Sequence, residues 1–388
     1  MNEQLRVLSI HNNYKLRGGE DESRESEERL LREMGHIVDL YEENNTRIAK
    51  LNPARLALRT IWSLEAYQSV HRKLRQNRFN LIHVQNFFPL ISPSVYYAAQ
   101  AEGVPVIQTL RNYRLICPNG LFFRDGRVCE DCLGKFIPYP GVVHSCYRDH
   151  RSATAVTAAM LTFHRAIGTW DRVNLFIALS DFARHKFIEA GFPSDKIVVK
   201  PNFVHPDPGV GSGTGGYALY VGRLSVEKGL DVLLSAWERL SMKVPLKIVG
   251  DGPLAELVME ATKRTPHVEW VGIKTISEVH RLMGEAMFLI FPSNWYETFG
   301  RVAIEAFAKG TPVIASNIGA ISELIDRHQT GLCFKPGDAE DLATKIEWCL
   351  HHPILLQEMR RHARAKYEAK YTATQNYQQL IDIYHRVT

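Results

Sequence analysis

No apolar run in these 388 residues approaches the roughly 18 needed to cross a membrane. The opening MNEQLRVLSIHNN lacks the basic start and apolar stretch of a secretory signal, so a cytoplasmic protein is expected. Cysteine is sparse at six residues, and in such a compartment thiols or a metal site are better expectations than disulfides. Neither a G-x-G-x-x-G fingerprint nor a P-loop follows a strand, which removes support for NAD and ATP chemistry. No helix-turn-helix, RNA-binding or zinc-finger pattern is found, so nucleic acid is not an expected partner. No DxD-type acid cluster stands at a strand end to call for Mg²⁺.

What is present describes an ordinary globular chain, with 45% hydrophobic and 23% charged residues, long enough for two domains. The runs LRVLSI, HIVDLY, LIHVQN, PVIQTL, NLFIALS and KIVVKPN read as buried strands in the first half. In the second half, YALYVGRL, PLKIVG, VEWVG, FLIFPS, PVIAS and GLCFK repeat the theme. Apolar runs without alternation predict parallel strands covered on both faces. The Pro/Gly-rich segment FVHPDPGVGSGTGG, residues 203–216, reads as a linker. The expected architecture is α/β, two Rossmann-like domains facing each other across a cleft. Their expected bounds are 1–203, with a Cys-rich loop at 117–146, and 204–365. A helix at 366–388 is expected to cross back to the first domain.

Charge is uneven. Residues 1–200 hold 27 Lys+Arg against 21 Asp+Glu, net +6, and residues 201–388 hold 20 against 21, net −1. In residues 47–78 eight bases (Arg47, Lys50, Arg55, Arg59, Arg72, Lys73, Arg75 and Arg78) face only Glu65, net +7. Leu56, Ile61, Trp62 and Leu64 lie among them, the pattern of a basic amphipathic helix. It suits either a solvated face or peripheral contact with an anionic membrane.

The densest chemistry lies in FPSNWYETFGRVAIEAFAKGTPVIAS, residues 291–316. Glu297 falls on the loop after a strand and Glu305 early in the next helix. Backbone N–H groups at Thr298, Phe299 and Gly300 are placed to meet an anion. Acids also favour the first turns of helices through the macrodipole, so the pair alone says little. In YVGRLSVEKGLDVLL, Arg223 and Lys228 occupy a strand-to-helix loop, where a guanidinium and an ammonium suit a diphosphate. Gly18-Gly19 lie between the first strand and the first helix and allow close approach to a phosphate. Two carboxylates also suit a glycosidase or phosphorylase, but that reading leaves the Arg/Lys loop unexplained.

In order, VGRLSVEKG, IVGDGP, the 291–316 block and TGLCFKPGD resemble a retaining glycosyltransferase of the GT4 family, of the bacterial polysaccharide-biosynthesis type with the GT-B fold. RGGE, LIHVQNFFPLISPSVYYAA, ALSDFAR and KPNFV extend the resemblance to the whole chain. It implies a UDP-sugar donor, glucose first, and hexose transfer with retention to a glycan or lipid-linked acceptor, with no cofactor. Arg223 and Lys228 would hold the diphosphate and Glu297 would lie beside the sugar, with Thr298, Phe299, Gly300 and Val302 nearby. Glu305 would bond the ribose, Gly252 and Ile273 would border the base, and Gly19 would close over the phosphates. Two cations and helix amides can stabilise the leaving diphosphate without a metal.

The chain departs from the family where Thr-Leu-His-Asp-Tyr is usual and Thr109-Leu110-Arg111-Asn112-Tyr113 stands instead. Arg111, Asn112 and Asn86 are candidates for the acceptor or sugar side, and Gln85 stands where a second His is frequent. Arg111 stays protonated and cannot act as a base. A catalytically impaired nucleotide-sugar-binding homologue is the alternative this departure leaves open. Cys117, Cys129, Cys132 and Cys146 form a cluster read either as a structural zinc site or as reduced thiols in an acceptor-side loop.

Overall fold

The computed structural model describes residues 4–15 and 18–388. They divide into two compact units. The first comprises the described residues up to Phe122, Glu130–Pro201 and Asn376–Thr388; the second comprises Phe123–Cys129 and Asn202–Gln375.

The first unit is built on β1 (Arg6–Asn13), β2 (Ile37–Asn44), β3 (Leu81–Asn86) and β4 (Val106–Leu110). A short antiparallel hairpin, β5 (Phe123–Arg124) and β6 (Arg127–Val128), precedes β7 (Leu175–Ala178) and β8 (Ile197–Val199). The sheet runs β2-β1-β3-β4-β7-β8 with every pair parallel. β3 and β4 are buried at every position, as unalternated apolar runs require.

The second unit repeats the plan with β9 (Ala218–Val221), β10 (Leu246–Val249), β11 (Val268–Gly272), β12 (Phe288–Phe291), β13 (Val313–Ser316) and β14 (Gly331–Phe334). Its order is β11-β10-β9-β12-β13-β14, again parallel throughout. In each sheet the chain steps to one side of its first strand and then returns to the other. The reversal lies between β1 and β3, and between β9 and β12. Loops leaving the carboxyl ends of such neighbouring strands diverge and open a crevice there.

The structure groups the chain differently from expectation at three places. The segment 203–216 is not a loose tether. Gly211 N donates to Lys309 O, Gly213 N to Gly284 O and Gly215 N to Glu285 O, so it is strapped along the second unit. A Cβ on Gly211 would stand 2.2 Å from the Gly284 backbone, and that close approach explains the glycine. The second unit also extends to residue 375 rather than 365. The helix Pro353–Lys370 is tied to it by Arg360 Nη1 on Ala286 O (3.0 Å) and Lys366 Nζ on Leu324 O (2.7 Å). Only the helix Ala373–His385 returns, from Asn376 on, to the first unit. Finally, the Cys-rich segment is divided, since 123–129, with its hairpin and Cys129, groups with the second unit.

Candidate active site

The two loops flanking the β9/β12 reversal carry the cations and acids singled out above. After β9, Arg223 is exposed, and its carbonyl accepts from the buried Tyr220 hydroxyl at 2.9 Å, which fixes the turn. The chain then makes a 3-10 turn, Val226–Lys228, and passes through Gly229 at φ +67° into the helix Leu230–Arg239. A Cβ on Gly229 would sit 2.0 Å from Pro292 O, so only glycine lets this loop lie against the loop after β12. Asn294 N donates to Glu227 O at 2.9 Å, a second clasp between the loops.

The clasp sets one contact in particular. Lys228 Nζ donates to Glu297 Oε1 at 2.5 Å, although 69 residues separate them. The same oxygen accepts from Ser293 Oγ and from Trp295 Nε1, each at 3.1 Å, and the Lys228 ammonium lies 5.3 Å from the Trp295 ring centre. Glu297 is 9% exposed, a carboxylate held in place by converging donors. Ser293 and Trp295 went unremarked in the sequence, where only their nearness to Glu297 marks them. Phe299 is buried and meets Tyr371 edge-on at 6.1 Å. Gly300, at φ +104°, opens the helix Arg301–Ala308. Val302 lies in the first turn of that helix, and the Glu305 Oε1 in its second turn accepts from Arg301 Nε at 2.8 Å. Gly252 follows β10 and Ile273, 74% exposed, follows β11. Arg223, Gly252, Ile273 and Glu297 therefore all stand at strand carboxyl ends in one unit.

In the first unit Gly19 begins the helix Gly19–Glu33 and is exposed; Gly18 N donates to Asp21 Oδ2 at 3.0 Å. Asn86 is committed to the backbone, with Nδ2 on Asn12 O (3.1 Å) and Oδ1 accepting from Phe88 N (3.0 Å). Arg111 is buried and its Nε donates to Gln85 Oε1 at 2.8 Å. Behind it lies a buried polar chain that the sequence did not disclose. Gln85 Nε2 donates to Glu27 Oε1 (2.7 Å), and Lys200 Nζ donates to Glu27 Oε2 (2.7 Å) and to Asn376 Oδ1 (3.0 Å). His83 bonds Tyr384 OH through Nδ1 and Thr109 Oγ1 through Nε2. Burial alone would raise the Glu27 carboxyl, but Lys200, His83 and Arg111 together pull it down to about 2. At Lys200 burial wins and lowers the ammonium, because one carboxylate attracts it while Arg111 repels it. The lowering of Glu27 and its 2.7 Å contact with Lys200 mark it as ionised. Burial likewise depresses His83 to about 4, even though Glu27 pulls the other way.

Among the described residues no group of three or more His, Cys, Asp or Glu is gathered to hold a metal ion. Cys117 and Cys132 are buried, with Cys132 Sγ 3.8 Å from Pro138 O, and no disulfide joins the six cysteines. The loop is packed by aromatics instead, Tyr113 against Phe122 at 4.8 Å.

Two family models match the chain: Glycosyltransferase Family 4 over residues 22–208 and Glycosyl transferases group 1 over residues 210–366. The glycogen synthase of Mycobacterium tuberculosis is 35% identical over 154 residues, 38% of this chain and 37% of that protein. The sulfoquinovosyl transferase SQD2 of Arabidopsis thaliana is 35% identical over 136 residues, 34% of this chain and 26% of its own length. The matched stretch thus spans 37% of the first relative's length and 26% of the second's. Two solved structures align along nearly the whole chain. Anabaena HepE in complex with UDP-glucose has a TM-score of 0.70 at 16% identity, covering 98% of this chain and 99% of that one. A Rickettsia africae glycosyltransferase has a TM-score of 0.72 at 18% identity, covering 100% and 99%.

Proposed function

The chain belongs to the GT4-type glycosyltransferases of the GT-B fold, and on that premise we propose that it moves a hexose from a UDP-sugar to a glycan or lipid-linked acceptor in polysaccharide biosynthesis, with retention and without a metal cofactor. The observation that carries this reading is the Lys228–Glu297 contact across the β9/β12 reversal. It joins a cation suited to a diphosphate to an acid suited to sugar hydroxyls, at a position where α/β sheets bind nucleotides. Lys228 has three donors and can hold Glu297 and a phosphate oxygen together. Arg223 supplies the second cation, and Glu305, Gly252 and Ile273 are assigned to ribose and base. UDP-glucose is the first choice of donor, supported by its complex with HepE.

In the step itself the bond from the anomeric carbon to the phosphate oxygen breaks through an oxocarbenium-like state. The acceptor oxygen attacks from the same face and its proton passes to the departing phosphate oxygen, so no protein nucleophile is needed. Glu297 orients the sugar, while Arg223 and Lys228 stabilise the developing diphosphate charge. A thermal-shift screen of UDP-, GDP- and ADP-sugars followed by UDP release tests this. UDP-glucose should stabilise the protein, and Glu297→Ala should lower turnover by roughly 10²-fold or more. Turnover within threefold of wild type in Glu297→Ala would refute the role, whereas stabilisation with no UDP release would favour the non-catalytic homologue.

Peripheral membrane contact is part of the proposal. Among the described residues no helix is long and apolar enough to cross a membrane. The basic stretch forms a 3-10 turn, Asn45–Lys50, and two helices, Pro53–Ile61 and Leu64–Gln76. Not all its charge faces outward, for Arg59 is buried on Glu43, and Arg47 also pairs with Glu43. Lys50, Arg55, Arg72, Arg75 and Arg78 are exposed, as are Leu58 and Leu64, which supports contact with anionic headgroups. Binding to phosphatidylglycerol vesicles should weaken with salt, and charge reversal at Arg72, Lys73 and Arg75 should abolish it.

A further inference from the structure

One carboxylate oxygen in the second unit is crowded with donors. Glu297 Oε1 accepts from Lys228 Nζ (2.5 Å), Ser293 Oγ (3.1 Å) and Trp295 Nε1 (3.1 Å), although such an oxygen offers two lone pairs. The three donors are not equally held. Ser293 lies two residues past the end of β12 and is fully buried. Asn294 is pinned twice, its N donating to Glu227 O at 2.9 Å and its Oδ1 accepting from Gly337 N at 3.1 Å. A tight turn, Glu297 N on Trp295 O at 3.1 Å, then brings the indole beside the carboxylate two residues on. The loop backbone therefore sets both neutral donors. Lys228 arrives from the other loop on a flexible four-carbon stem, its side chain 22% exposed, with its ammonium 5.3 Å from the Trp295 ring centre.

Of the three, Lys228 is the one able to exchange partners. A diphosphate competes with Glu297 for its ammonium, and sharing that charge between two anions loosens the hold on each. Glu297 is 9% exposed, and a buried carboxylate that loses cationic support stays desolvated, a cost that opposes diphosphate binding. An O–H and an N–H on the same oxygen offset this cost. They stabilise ionised Glu297 wherever the ammonium points, and being neutral they do not draw the phosphate to themselves.

We propose that Trp295 and Ser293 are positioning residues that take over Glu297 when a diphosphate draws on Lys228, the Lys228–Glu297 contact being the resting half of that exchange. The inference rests on the nucleotide-sugar reading and deepens it, by naming what keeps the sugar-side acid in place while the phosphate-side cation is engaged. A double-mutant cycle tests it, with Trp295→Phe, which keeps the ring and deletes the N–H, and Lys228→Met. UDP is titrated calorimetrically at constant ionic strength. Trp295→Phe should weaken UDP roughly fivefold to thirtyfold where Lys228 is present and less than twofold in the Lys228→Met background, and Ser293→Ala should weaken it likewise. In the ligand-free protein the two substitutions should lower the thermal midpoint by more than the sum of their separate effects, since each donor covers for the other at one oxygen. UDP affinity within twofold of wild type in Trp295→Phe would overturn the proposal. So would an equal weakening in both backgrounds, which is what a merely loosened loop would give. Should Lys228→Met lose measurable UDP binding, the ligand-free cycle decides, and additive midpoint losses there overturn the proposal. Failure of UDP to bind the wild-type protein would instead refute the donor assignment, and the proposal with it.

Discussion

Replacing Lys200 by methionine tests the buried chain most directly. Lys200 is 2% exposed and Glu27 is 4% exposed, with Nζ and Oε2 2.7 Å apart. Methionine fills much of the same volume but leaves Glu27 a buried carboxylate without its strongest cation. Removing one member of a buried pair costs about 3–5 kcal/mol, mainly because the surviving charge remains desolvated. Arg111 still faces Glu27 through Gln85, which argues for the lower end, about 3 kcal/mol. For a unit of this size each kcal/mol lowers the midpoint by about 2–4 °C, so a fall of about 6–12 °C is expected. The double variant Glu27→Gln with Lys200→Met keeps an acceptor for the Gln85 amide and leaves no stranded charge. It should therefore be more stable than Lys200→Met alone. Calorimetric scans of wild type, both singles and the double variant read this out. A Lys200→Met cost below about 1 kcal/mol, or a double variant as damaged as the single, would show that the pair is not the buried unit described here.

Acidification should act on the same unit. His83 is depressed to about 4 and His164 likewise, both by burial, so between pH 6.5 and 4 the unfolded chain binds protons that the folded one does not. Stability should fall as pH drops through that window, by about 3 kcal/mol per histidine at most, and His83→Gln should flatten the slope of urea midpoint against pH. Glu27, lowered to about 2, adds stability above pH 4.5 that is lost on further acidification toward 2. Gly229→Ala should push the loop bearing Lys228 away from Pro292 O, with UDP affinity and midpoint both reduced by the equivalent of about 1–3 kcal/mol. An unchanged UDP affinity in that variant would mean the clasp does not set the donor site. Chelation with EDTA should leave the thermal midpoint within about 1 °C, since among the described residues no group of three or more His, Cys, Asp or Glu is gathered to hold a metal ion.

The positions of the strands were legible because each is a local matter. Twelve unalternated apolar runs became twelve parallel strands, and Gly300 opens the helix that follows β12. The site was half legible. Glu297, Arg223 and Lys228 were visible as residue types on strand-to-helix loops, and a loop after a parallel strand can only emerge at the carboxyl edge. Their pairing was not visible, since nothing in VEKG or in NWYETFG names the other. The cysteine cluster is a different case, for closeness in sequence suggested either a metal site or reduced thiols, and among the described residues no group of three or more ligating side chains is gathered.

Local hydrophobic pattern and turn chemistry therefore determined, from the chain alone, the two α/β units and the edges on which their candidate site residues stand. Only the tertiary structure decided which of those residues meet. Lys228 and Glu297 are 69 positions apart, Glu27 and Lys200 are 173, and His83 and Tyr384 are 301. Such contacts depend on strand order and on close approaches such as Gly229 against Pro292. A buried charge accepts a partner wherever the fold delivers one, and no rule of spacing says where that will be.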